Sequence, residues 1–226
     1  MQITSTLKSV KTNLQYLSLL IALLISGKAA AAPMPSDTVG IVQLNQFTPP
    51  PNQLGKSGYI ALTHQRQEMN LCVPTSASMV LEYFGCPITP RELKVLSRKK
   101  KYDPTKEFKD FTFTMFNDLV FGMSKLGINW KINNYQNTRS GANSGLADIK
   151  ASIDKGNPVL IDTSIYKGHT FVVCGYNNEA QDLIVIDPNI DAPGIRVISY
   201  KVVEQIWNSR CVGYNGRGAI FTDRKL

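Results

Sequence analysis

Apolar residues recur first at helical spacing and later at strand spacing. Val73, Ala77, Val80, Leu81 and Phe84 fall at i, i+4, i+7, i+8 and i+11, a single stripe that predicts a helix starting at or just after Cys72. Pro74 is tolerated in its first turn and Gly85 supplies its stop. Thr89-Pro90-Arg91-Glu92 has the form of a capping box with proline at the first helical position, so a second helix starts there. Phe116, Leu119, Val120, Met123 and Leu126 mark a third, ended by Gly127. Leu146, Ile149 and Ile153 mark a fourth, from about Gly145 to Lys155, with Gly156-Asn157-Pro158 as its stop. Beyond it the apolar runs become short and rich in Val and Ile: 159–163, 169–176, 183–187, 195–200 and 218–222, with a brief helix over about 202–207. Helices first and strands afterwards predict an α+β domain with an antiparallel, strongly curved sheet.

The first 32 residues stand apart from this pattern. They carry Lys8 and Lys11 but no acid, then the apolar run Leu17 to Ile25, then the small residues Ala29 to Ala32. That is the order of a secretory signal peptide, and the run is too short to span a bilayer comfortably. An exported chain, periplasmic or secreted and without stable membrane insertion after cleavage, is expected. Residues 33–57, with Pro33, Pro35 and Pro49-Pro50-Pro51, read as an extended Pro-rich leader, and 58–226 as one folded domain.

Losing Lys8, Lys11 and Lys28 lowers the formal charge from +8 to +5. The densest basic cluster, Arg98 to Lys101 with Lys106 and Lys109, reads as a solvated helix end and loop, so no nucleic-acid partner is expected. The mature chain retains Cys72, Cys86, Cys174 and Cys211. Export permits disulfides, but a catalytic Cys72 must stay free, which leaves at most one bridge among the other three. With only His64 and His169 in the chain, and no Cys-x-x-Cys, neither a zinc site nor a cofactor is expected.

Cys72 at a helix start can do chemistry because unpaired N–H groups and the helix dipole favour the thiolate, the nucleophilic form. Its helical phase sets it outside the stripe begun by Val73. His169 opens the strand Gly168-His169-Thr170-Phe171-Val172-Val173, whose alternation sends His169, Phe171 and Val173 to one face and Cys174 to the core on the other. His64, the other histidine, lies in a loop just before Cys72. Asp187 ends a strand before Pro188, where a carboxylate can accept an imidazole N–H and fix its tautomer.

Three segments together resemble a known family. Arg66-Gln67-Glu68-Met69-Asn70-Leu71-Cys72-Val73-Pro74, running into a Met-Val-Leu helix, is similar to the nucleophile segment of compact bacterial papain-like peptidases related to those that process bacteriocin leaders. Gly168-His169-Thr170-Phe171-Val172-Val173-Cys174-Gly175-Tyr176 resembles their histidine strand and Val185-Ile186-Asp187-Pro188 their Asp-Pro signature, with Trp207 in the place of a late tryptophan. The resemblance implies a papain-like two-lobed fold with the active cleft between a helical and a sheet lobe. It implies a cysteine endopeptidase acting on a peptide or protein through Cys72, His169 and Asp187. Gln67 would then help bind the oxyanion, its spacing to Cys72 one residue shorter than in papain and that of Gln65 one longer. Val73 replaces the usual glycine. The same thiol chemistry also serves acyl transfer, transglutamination or deamidation, and a non-catalytic binding module could keep the fold.

Overall fold

A computed structural model describes residues 40–98, 113–208 and 216–224. The signal segment, the start of the leader, most of the basic cluster and Cys211 lie outside the described residues.

Among the described residues, eight antiparallel strands form one sheet: β1 (Ile41–Leu44), β2 (Ser57–Tyr59), β3 (Lys131–Gln136), β4 (Val159–Thr163), β5 (His169–Asn177), β6 (Asp182–Ile186), β7 (Ile195–Ser199) and β8 (Gly216–Phe221). Their order is β1-β7-β6-β5-β4-β8-β3. β4 pairs with β5 from Thr163↔His169 to Val159↔Val173, and β2 takes up the same side of β5 further on, at Gly175 to Asn177. A bulge at Cys174 separates the two pairings and shifts the register against β6.

Both faces of this sheet are covered. Helices α1 (Cys72–Tyr83), α2 (Pro90–Leu96) and α3 (Phe116–Ser124) lie on one face, with Leu160, Val172, Ile184 and Ile220 in a first core. Helices α4 (Arg139–Asp154) and α5 (Tyr200–Ile206) cover the other, against Ile161, Phe171, Val185 and Trp207. Burial on both faces explains why the central strands read as continuous apolar runs rather than clean alternations. Cys174 is fully buried in the first core, as the alternation along β5 predicts, and Cys86 and Cys174 are both free thiols.

Three elements depart from the expected pattern. The leader is extended, but from Ile41 it is built into the domain: β1 pairs with β7, and Leu44 and Phe47 pack on the first core, Phe47 against Tyr59 with ring centroids 5.1 Å apart. β3, Lys-Ile-Asn-Asn-Tyr-Gln, is a largely exposed edge strand whose sequence lacks the Val and Ile density of the others. α4 starts six residues before Gly145, where the Thr138 side chain accepts from Gly141 N–H at 3.1 Å. A Cβ at Gly141 would lie 2.2 Å from the Gln136 carbonyl and one at Gly145 2.3 Å from the Trp207 ring, so close approach selects glycine where helix propensity disfavours it.

α1 is the central helix. Its predicted stripe is buried, and Thr75, Ser76 and Ser78 are buried as well. The backbone satisfies the two serines: Ser76 donates to the Thr170 carbonyl (3.3 Å) and Ser78 to that of Ile88 (2.7 Å), whereas the Thr75 hydroxyl has no hydrogen-bond partner among the described residues. The first of these bonds ties α1 to β5.

Candidate active site

Asn70 adopts a left-handed conformation (φ 61°), and Leu71 N–H donates to the Glu68 carbonyl at 3.1 Å, turning the chain into α1 at Cys72. Pro74 has no N–H, and no side chain caps this helix start. The N–H groups of Cys72 and Val73 therefore remain available for an anion at the thiol.

His169 is brought in by a strained turn. Tyr166, Lys167 and Gly168 have φ of 52°, 64° and 120°, in a short helical turn that Gly168 N–H and the Ile165 carbonyl close at 2.9 Å. Such backbone costs on the order of 1–3 kcal/mol per non-glycine residue and persists where surrounding packing over-determines it. The ring of His169 is 3% exposed and sits edge-on to Tyr166 and Phe171. Its Nε2–H donates to Asp187 Oδ1 at 2.6 Å, and its remaining nitrogen, Nδ1, is the one free to hydrogen-bond the Cys72 thiol. Cys72, His169 and Asp187 are thus brought together in one chain of contacts.

Asp187 is fully buried, and several elements hold it. Oδ1 also accepts from Asn189 N–H (2.8 Å), and Oδ2 lies 2.8 Å from Arg196 Nε, a charge contact without hydrogen-bond alignment. Its own N–H donates to the Gly194 carbonyl (2.8 Å), and its carbonyl accepts from His64 Nε2–H (3.1 Å). Gly194 has φ 74°, and a Cβ there would fall 2.0 Å from His64, so glycine lets that imidazole close over the loop. Gln67 N–H donates to the Pro188 carbonyl at 2.8 Å, joining the segment before Cys72 to the same loop.

Burial alone would push His169 toward its neutral form. The hydrogen bonds and charges of Asp187 and Cys72 outweigh that and raise it from 6.5 to about 9. Asp187 is likewise desolvated, yet His169, Arg196 and the Asn189 N–H hold it below the usual carboxylate range.

Gln65 donates through Nε2 to Glu82 on α1 at 2.8 Å. Gln67 keeps a buried Oε1 without a hydrogen-bond partner among the described residues. A cleft opens at Cys72, with Val73, Met115, Phe116 and Ile132 as apolar wall and Asn134 and Asp162 as polar rim. Among the described residues no three of His, Cys, Asp and Glu converge to hold a metal. Arg196 and Tyr166, which surround the acid and the base, went unnoticed in the sequence. The one available signal was a charge inside the apolar run Ile195-Arg196-Val197-Ile198.

A helix carrying a cysteine at its head, packed across an antiparallel sheet in which strand β5 opens with a histidine, defines the papain-like cysteine peptidase class. The chain belongs to the Peptidase_C39 like family, whose model matches residues 49–211. Among solved structures it resembles the peptidase domain of Streptococcus ComA, a bi-functional ABC transporter involved in a quorum sensing pathway. The identity is 20%, the TM-score 0.50, and the match covers 71% of this chain and 95% of that one. At that identity the likeness is one of fold. UfSP from C. elegans matches at 10% identity and a TM-score of 0.42, over 76% of this chain and 35% of that protein, too slight a likeness to bear on the site. No curated protein sequence matches.

Proposed function

We propose that this protein is an exported cysteine hydrolase that cleaves amide bonds in a peptide or protein, with Cys72 as nucleophile, His169 as general base and acid, and Asp187 as the group that orients it. The observation that carries this reading is the hydrogen-bonded chain from the Cys72 thiol through the His169 ring to the Asp187 carboxylate. In the resting site His169 takes the thiol proton, giving a thiolate and an imidazolium. The thiolate attacks the substrate carbonyl, and the developing oxyanion is met by the Cys72 N–H and the Gln67 amide. Gln67 suits this role better than Gln65, whose amide already serves Glu82. The imidazolium then protonates the leaving amine, and the neutral ring deprotonates a water that hydrolyses the thioester and frees the thiol. An extended segment suits the cleft, whose apolar wall can bury a side chain while Val73 restricts space beside the sulfur. Export rests on the charged, apolar and small-residue order of residues 1–32.

A thiol-directed, peptide-mimetic electrophile, followed by mapping of the adduct, tests this. The adduct is expected on Cys72, to be lost in His169→Ala, and to block hydrolysis of a peptide pool. Modification of Cys86 or Cys211 in its place, or none under reducing conditions, would overturn the assignment. Product analysis separates hydrolysis from acyl transfer and deamidation.

A further inference from the structure

We propose that Arg196 is a positioning residue of the site, a fixed cation that completes an alternating row of charges, thiolate, imidazolium, carboxylate and guanidinium, and thereby sets the pH window in which the thiolate–imidazolium pair exists. This inference rests on the function proposed above. Arg196 comes from β7 and is 6% exposed, with Nε 2.8 Å from Asp187 Oδ2. Its Nη2 donates to the Tyr166 hydroxyl at 3.1 Å, and the Tyr166 ring packs edge-on against His169 at 5.5 Å. The guanidinium therefore touches the acid directly and the base through one aromatic ring.

The physical need is plain. An Asp187 carboxylate with no exposed surface would be costly if His169 were its only counter-charge, because the histidine loses its charge in every turnover. Arg196 keeps its charge throughout, so Asp187 stays ionised while the imidazole gives up and regains a proton. A fixed positive charge in so dry a place lowers the proton affinity of every titratable neighbour. Cys72 from α1, His169 from β5 and Asp187 from the end of β6 share the row. Tyr166 faces it from the turn and His64 from the segment before α1. Asp162 and Lys167 stand at the cleft, and Arg66 and Asp191 pair at 3.7 Å on the outer side of the loop. Of the four cations and potential cations around Asp187 other than His169, Arg196 is the one in contact with its carboxylate.

The test needs no substrate. The rate of Cys72 alkylation by iodoacetamide is followed from pH 4 to 10 on the folded full chain, with the modified cysteine identified by mass spectrometry. The native protein is expected to show two inflections, one for formation of the ion pair and one for its loss. Arg196→Gln should move both to higher pH by about one unit. Arg196→Lys, which keeps the charge, should leave them within a few tenths of a unit. Tyr166→Phe removes only the hydroxyl that steadies the guanidinium and should give a smaller shift in the same direction, which keeps the test decisive if Arg196→Gln fails to fold. A purely structural arginine would give Gln and Lys variants that lose folded protein alike with unmoved inflections, and unmoved inflections in Tyr166→Phe as well; that result overturns the inference. If instead native Cys72 alkylates with the single inflection of an ordinary thiol, the proposed function itself falls.

Discussion

His169 and Asp187 are 3% and 0% exposed, and five further residues hold them: His64, Asn189, Gly194, Arg196 and Tyr166. Cys72 is only half-buried, at the start of a helix that no side chain caps, with a cleft open beside it. One half of the site is therefore part of the fold's interior and the other is a surface of it. In the proposed reaction, the groups that must keep one orientation are locked by packing, whereas the atom that would meet a substrate carbonyl keeps an open approach. The halves should respond differently to damage. Cys72→Ala is expected to remove hydrolysis of a peptide pool, a loss on the order of a million-fold, while costing less folding stability than a change at Asp187. Asp187→Asn should cost about a thousand- to ten-thousand-fold in kcat through the wrong tautomer. It should also cost about 3 kcal/mol in urea unfolding, because Arg196 is left as an uncompensated buried charge. Equal stability losses in the two variants would erase the distinction between the halves.

The oxyanion side sharpens the same contrast at a lower magnitude. Gln67→Ala removes an amide whose buried Oε1 has no hydrogen-bond partner among the described residues and should lower kcat about a hundred- to a thousand-fold at nearly constant stability. Gln65→Ala breaks only the exposed contact to Glu82 and should leave kcat within about threefold. If the two effects are reversed, the donor was assigned to the wrong glutamine.

What was legible in the sequence divides along similar lines. The three residues proposed as the triad could be singled out because they are scarce and stand at element ends: His169 is one of two histidines, Cys72 precedes an unbroken apolar stripe, and Asp187 is followed by proline. α1, α2 and the central strands could be read because local pattern and tertiary burial agree there. β1 could not, because its pairing partner β7 lies about 150 residues further along the chain and its own stretch is rich in proline and glycine. The first turns of α4 were hidden by Gly141 and Gly145, whose value lies in letting Gln136 and Trp207 approach. The roles of Arg196, His64 and Tyr166 were invisible for a different reason. Each meets its partner through tertiary packing, His64 across 123 residues, and no spacing rule connects a strand arginine to an acid nine residues earlier.

The smallest predicted effect tests whether the two halves are electrically one system. His169 is raised from 6.5 to about 9, with Asp187 and Cys72 both contributing against burial. A raised histidine stabilises the folded chain fully below its unfolded value, and that contribution drains away as pH climbs through about 9. Asp187, held low, behaves oppositely, its contribution being present above the ordinary carboxylate range and lost as pH falls below it. Urea midpoints at pH 6, 7.5 and 9 should therefore decline in the native protein by the histidine's share, and the alkaline limb of activity should fall only as pH passes through about 9. In Cys72→Ala the thiol's share is gone, so most of the decline should be complete by pH 7.5 and the remainder flatter. A decline of the same size and position in both proteins would mean that the thiol does not belong to the charge row, and that the open half of the site is wired to the buried half by proximity alone.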